Sequence, residues 1–330
     1  MNIRSQNPPH NQPEPRLATP PVMTLIGDIG IDLVMGPLVH WPEPGTETLL
    51  PQSEMRAGGS AGNAALAFRY MGAPVRLYSA IGNDALGEWL RTQFNGIELK
   101  LALIEAPTSV SVGLLHTGGE RNFFTTTGHL ALQEGVSVSR ALSPVVDGAI
   151  VLLTGVFLTP ELRSHYVPLL QHLRVLGYTI ALDTGWPPEG WTSAVISEVQ
   201  SWLSFVDHLL LNDLEITRLT QTDDLPAAMR CLSGWMRPDA CLIAKIGRAG
   251  AIGWNEEQKA HALPPSVGDI FDTVGAGDAF NAGYLYACAN GAGLTEALNS
   301  GCRTAANIIA HFPRHTPKQT KRDTAWQTAD

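Results

Sequence analysis

The chain has 330 residues, of which 44% are hydrophobic and 16% charged, a composition that excludes a disordered or fibrous protein and predicts a sizeable core. Its 31 acidic residues outnumber its 22 Lys and Arg, and the net charge of -9 argues against a general nucleic-acid binder, although a local basic patch stays open. No apolar run is long enough to span a membrane, and the four cysteines lack paired or metal-ligand spacing, so we expect no membrane partner and a reducing compartment.

The two ends of the chain differ in composition from its body. The first twenty residues are rich in Pro, Asn and Gln and contain no apolar segment of the kind found in secretory signals. We predict a flexible tail at 1–20, one folded domain at 21–313 and a second flexible tail at 314–330. A cytoplasmic protein is the expectation that follows.

Apolar runs alternate with helical patterns through the body of the chain. The runs typical of buried strands are at 22–26, 75–81, 149–154, 178–183, 208–211 and 241–246. The helical patterns between them are at 62–71, 160–176, 195–203 and 213–220. Because strands that are apolar throughout alternate with helices, we predict an α/β fold in which helices cover both faces of a mainly parallel sheet.

Two segments interrupt this alternation. Residues 35–57 are rich in Pro, Gly, Glu and Thr, and residues 108–127 contain two alternating strands joined by a turn at 117–120. Together they predict a small β-sheet that stands off the main domain as a lid. Because exposed β-edges favour pairing with another chain, a homodimer through this lid is a further hypothesis.

The sequence Gly275-Ala276-Gly277-Asp278 opens an apolar helical pattern that runs to about residue 287. Glycines let the backbone approach a ligand closely, and free amides at the positive end of a helix form an anion site. A carboxylate beside such a site is what phosphoryl transfer to an alcohol needs, with Asp278 as the base that accepts the hydroxyl proton. On these four residues alone, a purely structural role for Asp278 and the glycines is equally open.

A second glycine-rich segment also precedes an apolar helix. Gly58 and Gly59 stand before this helix, and Asn63 lies in its first turn. An amide side chain there can both donate to and accept from a polyhydroxylated ligand. An ordinary glycine-rich loop is the alternative interpretation.

These two segments, in this order and roughly 200 residues apart, resemble the two signatures of the ribokinase-like (PfkB) carbohydrate kinases. The first signature matches Gly58, Gly59 and Asn63, and the second matches the segment from Asp272 to Phe280. The resemblance covers about residues 22–312 and implies a ribokinase-like three-layer sandwich with a β lid. It also implies ATP-dependent transfer of the γ-phosphoryl group to a hydroxyl, with a primary one expected, of a sugar or sugar derivative.

The resemblance implies roles for individual residues as well. The amides of Gly275, Ala276 and Gly277 would form the anion hole. The residues implied for acceptor binding are Asp32, Gly58, Gly59 and Asn63, with Asp28 and Arg121 as further candidates. Each of these two further candidates has a non-functional alternative. Asp28 could be a solvated loop acid, and Arg121 could be a solvated charge on an edge strand.

The nucleotide end is implied in the same way. The residues concerned are Lys245, Gly247, Gly250, Asn212, Glu215 and Asn307. Glu215 would organise Mg2+ through water, and ATP and Mg2+ are the implied cofactors. The family often holds a monovalent cation near the positions of Asp272 and Val274, so K+ is a candidate there.

Several residues depart from the family pattern or have a role with more than one interpretation. Lys245 stands where the family commonly has Thr, and it could contact phosphate or extend from a strand end into solvent. Asp183-Thr184-Gly185-Trp186 replaces an Asp-Pro-Asn found in many sugar kinases, so fructokinase specificity does not transfer simply. Trp186 and Trp191 could wall a pocket or only pack. His129 could touch substrate, but a lone His is more often structural.

The sequence also bears on functions other than that of a sugar kinase. The chain has no Gly-x-x-x-x-Gly-Lys-Ser/Thr and no Gly-x-Gly-x-x-Gly after its first strand, which disfavours P-loop kinases and dinucleotide binding. A nucleoside kinase on the same fold and a non-catalytic sugar-binding regulator remain as alternatives. The sequence does not identify the acceptor.

Overall fold

A computed structural model of the chain describes residues 21–117, 121–145, 149–268, 270 and 272–311. The tails predicted at 1–20 and 314–330, and residues 118–120 of the predicted lid turn, lie outside these residues. Among the described helices, none is long and apolar enough to cross a membrane.

The described residues form thirteen strands and ten α-helices. The strands are β1 (Met23–Gly27), β2 (Gly30–Leu38), β3 (Gln52–Gly58), β4 (Val75–Gly82), β5 (Glu98–Ile104), β6 (Val110–His116), β7 (Arg121–Thr125), β8 (Ile150–Thr154), β9 (Thr179–Asp183), β10 (His208–Asn212), β11 (Cys241–Lys245), β12 (Ala251–Trp254) and β13 (Lys259–Ala262). The helices are α1 (Ser60–Tyr70), α2 (Ala85–Gln93), α3 (Gly135–Ala141), α4 (Pro160–Ser164), α5 (Tyr166–Val175), α6 (Ser193–Leu203), α7 (Asp213–Thr220), α8 (Leu225–Ser233), α9 (Ala276–Ala289) and α10 (Leu294–Ile309).

Nine of the strands form the central sheet, in the order β13-β12-β11-β10-β9-β8-β1-β4-β5. The seven strands from β11 to β5 are parallel, and β12 and β13 extend the sheet in antiparallel pairing. Successive side chains of a strand point to opposite faces, so Leu25 of β1 joins one core and Ile26 the other. The first core packs against α1, α9 and α10, and the second against α5, α6 and α8. The predicted three-layer α/β architecture is confirmed.

The predicted lid is a separate four-stranded sheet in the order β3-β2-β6-β7. Strands β2 and β6 are parallel, and the two outer pairs are antiparallel. This sheet begins at Gly30, not at residue 35 as predicted. The polar Asp32 interrupts the apolar pattern, which is why the sequence indicated a loop, but its side chain is buried and the strand continues through it.

One segment predicted as a single helix forms two helices in the structure. The segment predicted as a single helix at 160–176 is divided between α4 and α5, with a break at His165. Pro168 has no amide hydrogen, and its ring excludes the helical position of the Ser164 carbonyl four residues earlier. A helix that contains this proline within its first turn can therefore begin at Tyr166 but cannot continue from α4.

Helices α9 and α10 pack closely because glycines lie between them. A Cβ atom on Gly283 would overlap the side chain of Thr304, and one on Gly301 would lie 2.7 Å from the ring of Phe280. Real Cβ atoms do not approach neighbours this closely. The absence of side chains at these two positions therefore sets the distance between the two helices.

Candidate active site

Polar side chains collect at one edge of the central sheet. Asp28 follows β1, Asp183 ends β9, Asn212 ends β10 and Lys245 ends β11. These strands are parallel, so their carboxyl ends meet at the same edge, where α/β sheets bind their ligands. The first turn of α9 carries Asp278 and faces this edge, because Lys245 contacts α9 at Asn281 and lies beside Gly277.

The loop before α9 has the conformation expected of an anion site. Gly275 precedes the helix with φ 75°, a left-handed conformation that favours glycine, and no side chain caps the helix. The amide of Ala276 donates to the Thr273 carbonyl at 3.1 Å, so one of the three amides predicted for the anion hole is engaged within the loop. In the described part of the chain, no acceptor is found for the amides of Gly275 and Gly277, which lie at the positive end of the helix dipole.

Asp278 is half-buried in the first turn of α9, and Asn63 of α1 donates to it. The distance from Asn63 Nδ2 to Asp278 Oδ2 is 3.1 Å, so the two glycine-rich segments of the sequence meet at this carboxylate. Burial raises the pKa of Asp278 well above its ordinary value, and the negative charge of Asp183 raises it further, against the opposing effects of Lys245 and Asn63. A carboxylate with a raised pKa is a stronger base than an ordinary one.

Lys245 points inward rather than into solvent. Its Nζ lies 2.6 Å from Asp183 Oδ2 and donates to Asn281 Oδ1 at 3.2 Å, while Asn281 Nδ2 donates to the same Asp183 oxygen at 2.5 Å. A Cβ atom on Gly277 would lie 3.5 Å from Lys245 Nζ, so the ammonium group stands beside the anion loop. Burial lowers the pKa of Lys245, but the charges of Asp183, Glu215 and Asp278 outweigh that effect and the net shift is upward. The lysine is therefore a fixed positive charge at the site.

Two members of this cluster, Asp183 and Asn281, were missing from the predicted site residues. Asp183 ends a predicted strand, and an acid at the carboxyl end of a parallel strand was the signal that could have found it. Asn281 lies three residues after Asp278 and thus on the same side of α9, and this spacing was the available signal.

Asn212 and Glu215 cap the start of α7 reciprocally. Asn212 Oδ1 accepts from the Glu215 amide and Glu215 Oε2 accepts from the Asn212 amide, both at 2.8 Å. Burial and the nearby Asp183 charge raise the pKa of Glu215 to about 7, against the lowering effect of Lys245.

A magnesium ion fits this edge only in one way. No group of three or more His, Cys, Asp or Glu side chains able to hold a metal occurs among the described residues. Mg2+ keeps several of its waters and is usually held by one or two carboxylates together with substrate phosphates. Glu215, one oxygen of which caps α7, fits a water-mediated contact to an ion carried by the nucleotide.

Asp32 and Gly58 lie in direct contact on neighbouring lid strands. A Cβ atom on Gly58 would overlap the Asp32 carboxylate, which is 5% exposed. The next residue, Gly59, has φ 82°, and a Cβ there would lie 2.6 Å from the Asp28 carbonyl oxygen. Only glycine fits at both positions, because the chain passes here between Asp32 and the backbone of Asp28 and leaves no room for a Cβ atom.

Asp28 and His129 are held inside the protein. Asp28 is 1% exposed, and its Oδ1 accepts from the amides of Ser60 at 3.0 Å and Ala61 at 3.3 Å, so it fixes the start of α1. Burial raises its pKa to about 6. A solvated loop acid is therefore the wrong interpretation of Asp28, and its described contacts are structural.

His129 also has structural contacts on both ring nitrogens. Nδ1 accepts from the Ser109 amide at 2.9 Å, which leaves Nε2 to donate to the Ile29 carbonyl at 3.1 Å. Burial lowers its pKa, so the neutral ring ties the lid strands to the loop after β1.

The three residues before the anion loop contact the lid sheet. Arg56 Nη2 lies 2.6 Å from Asp272 Oδ2, and Arg121 Nη1 donates to Thr273 Oγ1 at 2.5 Å. Val274 packs with Val34 and Leu115 in a small apolar cluster. Arg121, predicted to reach the acceptor, reaches the anion loop in this structure. Arg56 was missed altogether, because no motif marked it.

The remaining predicted nucleotide residues are less connected. Gly247 and Gly250 both have left-handed φ values, 57° and 92°, in the loop between β11 and β12. Asn307 is exposed near the end of α10, and no described contact joins it to the anion loop. Its predicted contact with adenine stays a prediction.

Trp186 and Trp191 do line a cavity, which was one of the two alternatives for them. The cavity has a volume of about 410 Å³ and is lined by Trp186, Trp191, Thr217, Arg218, Gln221 and Asp223. None of the residues predicted to bind acceptor or nucleotide lines it. The polar side chains described above place the candidate site at Asp278 instead.

Comparison with known proteins gives consistent matches. Residues 23–320 match the model of the pfkB family carbohydrate kinases. A fructokinase of Salmonella typhimurium is 25% identical over 72% of this chain and 80% of its own, and a cytidine kinase of Thermococcus kodakarensis is 23% identical over 87% and 95%. The crystal structure of a Thermotoga maritima ribokinase superposes with a TM-score of 0.69 at 21% identity, covering 88% of this chain and 94% of that one.

Proposed function

The chain belongs to the pfkB family of carbohydrate kinases, and from this premise we propose that it transfers the γ-phosphoryl group of ATP to a primary hydroxyl of a sugar or sugar derivative. The observation that carries the proposal is the Asp278 carboxylate, placed beside the uncapped start of α9 and joined to Asn63 at 3.1 Å. A base beside an anion site is the minimum that phosphoryl transfer to an alcohol requires.

In this proposal Asp278 accepts the proton of the acceptor hydroxyl as its oxygen attacks the γ-phosphorus. The amides of Gly275 and Gly277 and the ammonium of Lys245 stabilise the negative charge on the transferring group. Asp183 and Asn281 hold Lys245 in place through the contacts described above. The Ala276 amide can also donate to the transferring group only if its hydrogen bond to the Thr273 carbonyl breaks.

Asp32, Gly58, Gly59 and Asn63 hold the acceptor. The Asp32 carboxylate accepts from hydroxyl groups, and the two glycines bring the backbone close to the ligand. Asp28 supports this end indirectly through the start of α1, and Arg121 remains a candidate for a second contact. Closure of the lid over the site would exclude water and prevent hydrolysis of ATP.

The nucleotide would lie along the loops after β10 and β11, near Asn212, Gly247 and Gly250, with its base towards Asn307. Mg2+, when bound, neutralises charge on the phosphates. Glu215 would bind that ion through water with the oxygen that does not cap α7.

The proposal is tested by an ADP-release screen over hexoses, pentoses, keto-sugar acids and nucleosides, with Asp278→Asn as the inactive control. ADP release with sugars and none with nucleosides supports the proposal. The alternative of a nucleoside kinase has the support of the cytidine kinase relative, and release with nucleosides alone would establish it. No release with any acceptor, together with sugar binding, would favour a non-catalytic regulator.

A homodimer through the lid is a second proposal. Trp41 and Phe124 are exposed on the lid, and their rings lie 6.1 Å apart, which makes an apolar patch. Exposed aromatic patches of this kind mark contact surfaces. Light scattering of the purified protein tests it: a dimer that Phe124→Glu converts to monomer is expected, and a monomeric wild type contradicts it.

A further inference from the structure

The anion loop is held by the lid through a buried arginine. Arg56 extends from β3 to Asp272, three residues before Gly275, and its side chain is 1% exposed while that of Asp272 is fully buried. Arg56 also lies 3.1 Å from Glu54 on the same strand. This is the one ion pair in the described part of the chain that joins the lid sheet to the loop of the second signature.

Both oxygens of the Asp272 carboxylate are engaged by this chain. Oδ1 accepts from the Val274 amide at 2.7 Å, and Oδ2 lies 2.6 Å from the Arg56 guanidinium. A monovalent cation bound beside Asp272 and Val274 would have to lie next to the Arg56 guanidinium, which already contacts Oδ2 of this carboxylate. Two like charges a few ångströms apart in a buried site repel each other strongly. The residues present therefore do not fit a monovalent cation on this carboxylate.

We propose that the Arg56 guanidinium is the built-in cation of the anion loop, so that the enzyme needs no K+ or Na+ for phosphoryl transfer. Arg56 is a positioning residue: it acts on the substrate only through Asp272 and the loop that follows. A guanidinium is planar, always charged and able to bind two carboxylates, which suits it to Glu54 and Asp272 together. The catalytic part of this inference rests on the proposed kinase activity.

The position of Arg56 adds a second consequence. In members that use a diffusible ion, the charge beside the loop would be independent of the lid. Here the charge is carried by a lid strand, and Thr273 and Val274 contact the lid as well. The charge that fixes the anion loop is thus present only where the lid sheet is docked.

The first test uses the wild-type enzyme at constant ionic strength in K+, Na+ or tetramethylammonium. We expect ADP-release rates in the three salts to agree within about threefold, because no specific ion binds the native state. Larger activation by K+ overturns the proposal. Thermal unfolding in the same three salts gives a readout that does not depend on catalysis, and a specific stabilisation by K+ would also overturn it.

The second test compares variants of Arg56. Arg56→Lys keeps the positive charge and should keep the flat salt profile. Arg56→Gln removes the guanidinium charge beside Asp272, and K+ should now raise both the variant's midpoint of thermal unfolding and its rate of ADP release. Arg174→Gln, which breaks a 2.6 Å pair with Asp207 at the opposite edge of the sheet, is the matched control and should not respond to K+.

The outcomes separate this inference from the proposed function. If no acceptor supports ADP release, the proposed function fails, and the unfolding data alone decide the role of Arg56. If Arg56→Gln folds and its salt profile matches that of the wild type in both readouts, the guanidinium has a merely structural role and the inference is wrong. If Arg56→Gln does not fold, the wild-type salt series decides.

Discussion

Replacement of Asn63 by alanine removes the hydrogen bond that joins the two signatures at Asp278. Asn63 Nδ2 donates to Asp278 Oδ2 at 3.1 Å and favours the ionised carboxylate. A hydrogen bond to a charged group is worth about 1.5–3 kcal/mol, and one pKa unit corresponds to about 1.4 kcal/mol. Because Asn63 is partly exposed and water can replace its amide, we take the lower end and expect the pKa of Asp278 to rise by about one unit.

The assay is ADP release measured over a range of pH. The base must be ionised, so the acid limb of kcat/KM, which reports the free enzyme, should move to higher pH by about one unit in Asn63→Ala. On the acid limb, the loss of kcat/KM relative to wild type should be about tenfold larger than the loss on the plateau at higher pH. Any loss of acceptor binding adds a factor that is the same at every pH.

The control is Asn83→Ala. Asn83 also donates its amide to a carboxylate, that of Glu105 at 2.6 Å, but in an exposed position. This variant should have the wild-type profile. If Asn63→Ala loses the same factor at every pH and its acid limb does not move, Asn63 does not tune the base, and the reasoning is refuted.

Further predictions concern the same cluster and the core beside it. Asp278→Asn should reduce kcat by about 10²–10⁴-fold while calorimetry still detects binding of an ATP analogue, and near-normal turnover would exclude Asp278 as the base. Lys245→Met should move the acid limb of kcat/KM to higher pH and Asp183→Asn to lower pH, because the two charges act on the pKa of Asp278 in opposite directions; shifts of the same sign would contradict this. Gly58→Ala should displace the Asp32 carboxylate and raise the KM of the acceptor more than it lowers kcat, as steady-state kinetics with saturating ATP would measure. Asp28 has a pKa of about 6 in the folded protein against 3.8 ordinarily, so protonation favours the fold. The contribution of Asp28 to the free energy of unfolding should fall by about 3 kcal/mol between about pH 4 and pH 6, and in urea titrations the fall over this range should be smaller by that amount in Asp28→Asn than in wild type.

The fold could be predicted because its signal is local. Each parallel strand is a continuous apolar run and each covering helix has its own period, so both are visible within ten or fifteen residues. The broken helix at His165 was missed although Pro168 marks it, because the apolar period continues across the break. The early start of β2 was missed because a buried Asp32 is indistinguishable in sequence from a loop acid.

The contacts of the site could not be predicted in the same way. Asn63 and Asp278 are each visible as first-turn residues after glycines, but their hydrogen bond joins positions 215 residues apart. The pairing of Lys245 with Asp183 depends on the order of strands in the sheet, which apolar patterns do not specify. Arg56 reads as an ordinary charged residue until the lid is folded over Asp272.

The close packing of α9 on α10 has a consequence for how this enzyme could be changed. Because Gly283 and Gly301 let the two helices touch, the helix that carries Asp278 is one half of a rigid pair, whereas the residues proposed for the acceptor lie on lid strands and on α1. Selection or laboratory evolution could therefore retune the acceptor through the lid while the helix pair preserves the chemistry.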